Sequence, residues 1–204
     1  MVKKLKLLAA ADIHGDSRLT KRLAELAEKE AVDLVVLCGD LTGIRETSGI
    51  IKPFKDKKQR VIILPGNHDS FATADFMASL YNVKNIHGYS AVYEDIALFG
   101  AGGADVGPGF ISERELWATL KKAHTPIKDA KAKIMLTHMH PFKSKSEWSG
   151  FEGSKAIRRS IKEFKPDFLL HGHIHEASGV EEKIYGTKVI NVSQTGTIIE
   201  LESD

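Results

Sequence analysis

Cysteine is nearly missing from this chain: Cys38 is the only one in 204 residues. A single thiol cannot close an intrachain disulfide, so the chain suits a reducing compartment. An excess of either charge is lacking too, since 29 Lys and Arg face 27 Asp and Glu. That balance argues against a broad nucleic-acid or anionic-membrane footprint. No apolar run approaches the roughly 20 residues that a bilayer-crossing helix requires. The opening MVKKLKLLAAADIHGD has a basic head, but its apolar part is interrupted and runs into Asp12, so an export signal is not expected. Cytoplasm is the expected location. Repeats, low-complexity tracts and long linkers are also missing, which predicts a single domain over residues 1–204. With 42% hydrophobic and 27% charged residues, the composition is that of a folded chain rather than a disordered one.

What is present is a series of short apolar runs, at 5–11, 33–38, 60–64, 132–137 and 167–171. Their length and lack of alternation predict strands buried on both faces. Between the first two, residues 17–31 place Leu19, Leu23, Leu26 and Ala27 on one helical stripe, with Ser17 as the expected cap. Residues 112–123 predict a second helix, with Ser112 and Glu115 at capping-box spacing, and 154–164 a third. In 42–59, Gly49 and Pro53 are expected to interrupt any helix. Runs separated by tight glycine turns in 86–101 and 180–200 predict antiparallel hairpins. The pattern is α/β, with parallel units first and antiparallel strands added later.

Each buried run ends in the same kind of residue. LLAAA leads to Asp12-Ile13-His14, LVVLC to Gly39-Asp40, and VIIL to Pro65-Gly66-Asn67-His68-Asp69. KIMLT leads to His138-Met139-His140, and DFLLH to Gly172-His173-Ile174-His175. Asp12, Asp40 and Asn67 are separated by 28 and 27 residues, close to the roughly thirty of a βαβ unit. Right-handed crossovers return successive parallel strands pointing the same way, so their carboxyl ends share one edge, where open α/β sheets bind ligands. Carboxylates and imidazoles gathered at such an edge require counter-charge. Mixed nitrogen and oxygen donors without cysteine suit a divalent transition metal rather than a structural zinc. The donors are too many for one ion, and two ions about 3.5–4 Å apart, sharing a carboxylate, fit better.

These residues resemble the calcineurin-like metallophosphoesterases, whose pattern is Asp-x-His, Gly-Asp, Gly-Asn-His-Asp/Glu, a lone His and Gly-His-x-His. Here it stands as DIH (12–14), GD (39–40), GNHD (66–69), His138 and GHIH (172–175). The resemblance implies an α/β fold, a four-layer α-β-β-α sandwich of two mixed sheets with its metal site at the carboxyl ends of the strands. It implies two divalent ions drawn from manganese, iron, zinc, nickel or cobalt. One would be held by Asp12, His14, Asp40 and His175, the other by Asp40, Asn67, His138 and His173, with Asp40 bridging. His68 would face the substrate phosphate and assist the leaving group, with Asp69 orienting it. The family's closing strand usually continues Asn-Pro-Gly-Ser; Val192 and Ser193 depart from that, outside the metal set, and are expected to leave the chemistry alone.

The expected reaction is hydrolysis of a phosphate ester by hydroxide generated between the ions. Small-molecule or nucleotide phosphodiesters are the expected substrates, with no membrane partner. The residues after Asp40, LTGIRE, differ from the Asp-Arg-Gly of Ser/Thr protein phosphatases. A phosphomonoesterase or nuclease of the same family, and a catalytically idle binding scaffold, are the alternatives; retention of His68 and every ligand weighs against the scaffold. His140 and His171 share the side parity of the ligands, open to outer hydrogen-bonding or structural roles alike. His87 and His124 lie outside every motif, and Cys38 is expected in the core. The loop 139–154, with Trp148, follows a ligand and is positioned to select substrate, and the glycine-rich 99–110 either passes near the metals or is an ordinary turn.

Overall fold

The computed structural model describes residues 3–43 and 49–203. In chain order its strands are β1 (Lys3–Ala10), β2 (Leu34–Cys38), β3 (Val61–Leu64), β4 (Lys84–Asn85), β5 (Ser90–Tyr93) and β6 (Ile96–Ala101). They continue with β7 (Ala132–Thr137), β8 (Phe168–His171), β9 (Glu181–Ile184), β10 (Thr187–Asn191) and β11 (Thr197–Ser203). The α-helices are α1 (Ser17–Lys29), α2 (Lys52–Asp56), α3 (Phe71–Tyr81), α4 (Glu113–His124) and α5 (Lys155–Phe164).

Two mixed sheets result, ordered β11-β1-β2-β3-β4 and β5-β6-β7-β8-β10-β9. In the first, β1 to β4 run parallel and β11 is antiparallel to β1. In the second, β6, β7, β8 and β10 are parallel, with β5 and β9 antiparallel at the edges. Because side chains alternate across a strand, each unbroken apolar run serves two interfaces. Leu7, Val36 and Ile62 meet Leu98, Ile134 and Leu170 between the sheets. Their neighbours Leu8, Val35 and Ile63 face outward to Leu23 of α1, Phe54 of α2 and Met77 of α3. On the far side, Phe99, Met135 and Leu169 pack under Leu120 of α4 and Ile161 of α5. Each such fully buried side chain contributes about 1.5–3 kcal/mol relative to exposure. The layers are therefore α-β-β-α, as the family resemblance implies.

Four local expectations need correction. Helix α1 is capped by Asp16, whose carboxylate accepts from the backbone of Arg18 at 2.8 Å and Leu19 at 2.9 Å; Ser17 is the first helical residue. A carboxylate there also complements the positive end of the helix dipole. Pro53 opens the short α2 instead of interrupting it, because the first turn needs no backbone donor from that position; residues 44–48 of the same stretch lie outside the described residues. Helix α3 has no counterpart among the expected elements, since exposed Phe76 and Leu80 blur its apolar stripe. Finally, β9 and β10 form the expected hairpin, but β11 leaves it and pairs with β1 in the other sheet. The capping box of Ser112 and Glu115 on α4, the Ser154 cap of α5 and the β5–β6 hairpin are as expected.

Candidate active site

The carboxyl ends of β1, β2 and β3 in one sheet and β7 and β8 in the other converge on a shared rim. Backbone hydrogen bonds stitch the loops together: His14 N donates to Asp40 O at 2.9 Å, and Gly172 N to His138 O at 3.0 Å. Gln194 N donates to Ala11 O at 2.9 Å, tying the segment after β10 to the end of β1. This rim brings together Asp12, His14, Asp40, Asn67, His138, His173 and His175. Asp12, Asp40, Asn67 and His138 are buried.

The backbone is held in an unusual conformation where it presents these groups. Asp12, His14, Asp40 and His173 have φ of 56°, 48°, 51° and 73°, in the left-handed region. Such conformations cost of order 1–3 kcal/mol each and persist where surrounding structure enforces them, commonly at functional sites. Close approach matters as well. A Cβ on Gly66 would lie 2.0 Å from Asp40 Oδ1, and one on Gly172 2.6 Å from Asp12 Oδ2, so both positions require glycine.

Ring nitrogens and side-chain oxygens converge across the cluster. His138 Nδ1 donates to the Cys38 carbonyl at 2.9 Å, which turns Nε2 toward the cluster. That Nε2 faces Asn67 Oδ1 at 2.9 Å and Asp40 Oδ2 at 3.4 Å. His173 Nδ1 approaches the same Asn67 oxygen at 2.9 Å. On the other side of Asp40, His14 Nε2 lies 3.7 Å from Asp40 Oδ2 and 3.1 Å from His175 Nε2, itself 3.5 Å from Asp12 Oδ1. At most one proton can lie between two imidazole nitrogens, so the arrangement calls for cations. Three-residue groups close enough to hold an ion overlap here, among them Asp12, His14 and His175, and Asp12, Asp40 and His138. The donor set of imidazole, carboxylate and amide oxygen fits divalent transition metals.

Titration behaviour reflects the same crowding. Burial opposes charge on Asp40, but the His138 ring, the His68 backbone N–H at 2.8 Å and the nearby His14 outweigh it and hold the carboxyl low. Asp12 is likewise lowered against its burial, chiefly by His175, His138 and the Ser193 hydroxyl. Burial alone would lower His138, yet Asp40 and Asp12 raise it. His173 is pushed down to about 4 by burial and by His138 and His140. Its neutral ring keeps a nitrogen lone pair free.

His68 stands at the rim with its side chain 57% exposed, Nε2 3.9 Å from Asp40 Oδ2 and its ring edge-on to His14 at 4.9 Å. Asp69 does something other than contact that ring. Its buried carboxylate accepts from Leu41 N and Thr42 N at 3.0 Å, Thr42 Oγ1 at 2.7 Å and Gly66 N at 3.1 Å. It therefore clamps the loop after Asp40 to the loop carrying Asn67 and His68, and any influence on His68 passes through the backbone.

Two outer contacts escape a reading of the sequence. Ser193 Oγ donates to Asp12 Oδ2 at 2.6 Å, so the departure at Ser193 touches the cluster directly, contrary to expectation. Asn191 Nδ2 donates to Ile174 O at 2.8 Å, bracing the turn between His173 and His175. The family's closing-strand pattern touches both positions, with Asn191 matching it and Ser193 departing from it, but it does not say what either side chain contacts. His140 is buried beside His173, with ring centroids 6.2 Å apart, and its Nε2 donates to Phe151 O at 3.2 Å. His171 is buried and donates Nδ1 to the Gly172 carbonyl at 3.0 Å. The glycine-rich segment does pass behind the cluster: Gly109 N donates to Asn67 O at 3.0 Å, and Gly103 N to Pro65 O at 2.8 Å. Cys38 is buried, and Trp148 is exposed.

A four-layer sandwich with candidate metal ligands at the common rim of its sheets is the architecture of metal-dependent phosphoesterases. The family model described as calcineurin-like phosphoesterase matches residues 5–177, and the chain belongs to that family. No curated protein sequence matches it. Among solved structures, TT1561 of Thermus thermophilus superposes with a TM-score of 0.76 at 18% identity, covering 98% of this chain and 99% of the other. A dimetal phosphatase from Danio rerio gives a TM-score of 0.64 at 13% identity, over 92% and 86% of the two chains. GAP50, the anchor in the inner membrane complex of Plasmodium, gives 0.62 at 13% identity, over 94% and 72%. At these identities the likeness is one of fold. Among the described residues, no helix is long and apolar enough to cross a membrane.

Proposed function

We propose that this chain, acting as one domain over residues 1–204, is a dinuclear phosphodiesterase for small-molecule or nucleotide substrates. Asp12, His14, Asp40 and His175 would hold one divalent ion, and Asp40, Asn67, His138 and His173 the other. Such ions, when bound, acidify water and offset charge on a phosphate. The chain's own groups do the rest. Asp40 reaches both halves of the site through Oδ2. Exposed His68, next to the cluster, donates a proton to the departing ester oxygen. The single buried thiol and the imidazole-rich donor set suit the cytoplasm, with manganese as the first ion to test.

One observation supports this most: Asn67 Oδ1 and Asp40 Oδ2 converge within 3.4 Å of His138 Nε2, while exposed His68 stands beside them. A site of structural use only would not leave an imidazole at its mouth. The test is hydrolysis of bis-p-nitrophenyl phosphate against p-nitrophenyl phosphate with added manganese. Faster turnover of the diester is expected. Preference for the monoester would make it a phosphomonoesterase, and activity on neither, with metal bound, would favour a binding scaffold.

A further inference from the structure

Beside His173 and His175 opens a cavity of about 450 Å³ whose remaining walls are of two kinds. Val106, Phe151 and Ile174 are apolar, whereas Asp105, Glu152 and Glu176 carry carboxylates, and among the described residues no lysine or arginine lines the space. Val106 and Phe151 stand 55% and 65% exposed, on different loops that meet at this one opening. Large apolar side chains exposed around a concave surface mark a binding site more often than chance packing.

The Phe151 loop is built rather than loose. His140, packed beside His173, holds the Phe151 carbonyl, and Ser154 N donates to His140 O at 2.9 Å. Glu147 Oε1 accepts from Lys143 N at 2.7 Å and Gly153 N at 2.9 Å, closing the same loop from its other end. The backbone that carries Phe151 is thus held relative to the donor cluster before any ligand arrives, which lowers the ordering cost of binding.

We propose that this cavity receives the organic group that stays on phosphorus, and that it selects uncharged, ring-bearing groups against groups carrying a further phosphate. The assignment rests on the phosphodiesterase reading above. The retained group is the one concerned because His68, proposed to serve the departing oxygen, is not part of the wall. The ring lies against Phe151 and Val106, as bases do on aromatic side chains elsewhere. Of the carboxylates, Glu152 pairs with Lys155 at 3.2 Å, which leaves Asp105 and Glu176 as the main source of repulsion toward a second phosphate. The reaction is hydrolysis: water supplies the hydroxyl to phosphorus and a proton to the departing oxygen as the P–O bond breaks.

Three diesters that share p-nitrophenol as leaving group separate the effects: methyl p-nitrophenyl phosphate, thymidine 5′-(p-nitrophenyl phosphate) and the latter bearing a 3′-phosphate. With manganese-loaded enzyme, kcat/KM should be about tenfold higher for the nucleoside ester than for the methyl ester. Adding the 3′-phosphate should remove that advantage. Phe151→Ala should bring the nucleoside ester down to the level of the methyl ester, and Asp105→Asn with Glu176→Gln should raise turnover of the 3′-phosphorylated ester several-fold. Equal kcat/KM for all three esters, or an unchanged nucleoside-to-methyl ratio in Phe151→Ala, would overturn the pocket assignment while leaving the phosphodiesterase intact. No turnover of any of them, with metal bound, would overturn both.

Discussion

Ser193 donates its hydroxyl proton to Asp12 Oδ2 at 2.6 Å across 181 positions of sequence. The bond joins the segment after β10 in one sheet to the end of β1 in the other, so it spans the junction on which the cluster is built. It also fixes one carboxylate oxygen, while Asp12 Oδ1 lies 3.5 Å from His175 Nε2. Removing an outer partner of a metal-binding carboxylate typically weakens metal affinity 10–100-fold. Ser193→Ala should therefore lower manganese affinity by about tenfold. Calorimetric titration of the metal-free variant checks this; unchanged affinity would reduce Ser193 to a packing contact.

His68→Ala separates metal holding from proton delivery. The side chain is exposed, and its ring lies outside the seven proposed ligands. Metal content measured by atomic emission should stay at the wild-type level. Turnover of a diester with an alkoxide leaving group, such as a thymidine dinucleotide, should fall by about 10²–10⁴, the range for loss of a general acid. Turnover of bis-p-nitrophenyl phosphate should fall by much less, because p-nitrophenolate departs without a proton. Dinucleotide turnover close to wild type would remove His68 from the chemistry.

Asp69 is expected to behave in the opposite sense. Its buried carboxylate accepts four hydrogen bonds from two loops. Asp69→Asn presents an amide N–H₂ to donors and forfeits charge-assisted bonds, a loss of about 3 kcal/mol. At ~2–4 °C per kcal/mol for a chain of this size, the melting temperature should drop by about 6–12 °C. A thermal melt followed by circular dichroism measures it. Lost activity with an unchanged melt would instead restore a direct role toward His68.

The cluster is legible because its residue types have no packing purpose at the ends of buried strands. Asp12, Asp40, Asn67, His138, His173 and His175 each follow an apolar run, and the βαβ spacing alone forces several of those ends to one side. What escapes depends on contacts between distant segments. Ser193 is an ordinary residue until β10 brings it beside Asp12, and β11 follows β10 like a hairpin partner although it pairs with β1. Asp69 lies next to His68 in sequence, which suggests direct contact, but adjacent side chains diverge and its carboxylate turns toward the backbone. Helix α3 carries exposed Phe76 and Leu80, so its periodicity does not reveal its buried face.

His124 supplies a pH effect remote from the cluster. Its ring stacks on Phe164, with centroids 4.3 Å apart, and lies 5.2 Å from Phe99, while Nε2 is buried with no hydrogen-bond partner among the described residues. Burial and then the positive charge of Lys133 push its pKa below the ordinary 6.5. The charged form is thus disfavoured in the fold but not in the unfolded chain. Stability associated with the neutral ring is fully present above about pH 6.5 and is lost as pH falls toward the lowered folded-state value. Other histidines add to acid lability, so the informative quantity is a difference between proteins. His124→Leu should lose less stability than wild type between pH 7 and pH 5, measured by urea unfolding of both metal-free proteins. Parallel pH profiles would mean that His124 is solvated when charged and that its aromatic stacking does not resist protonation.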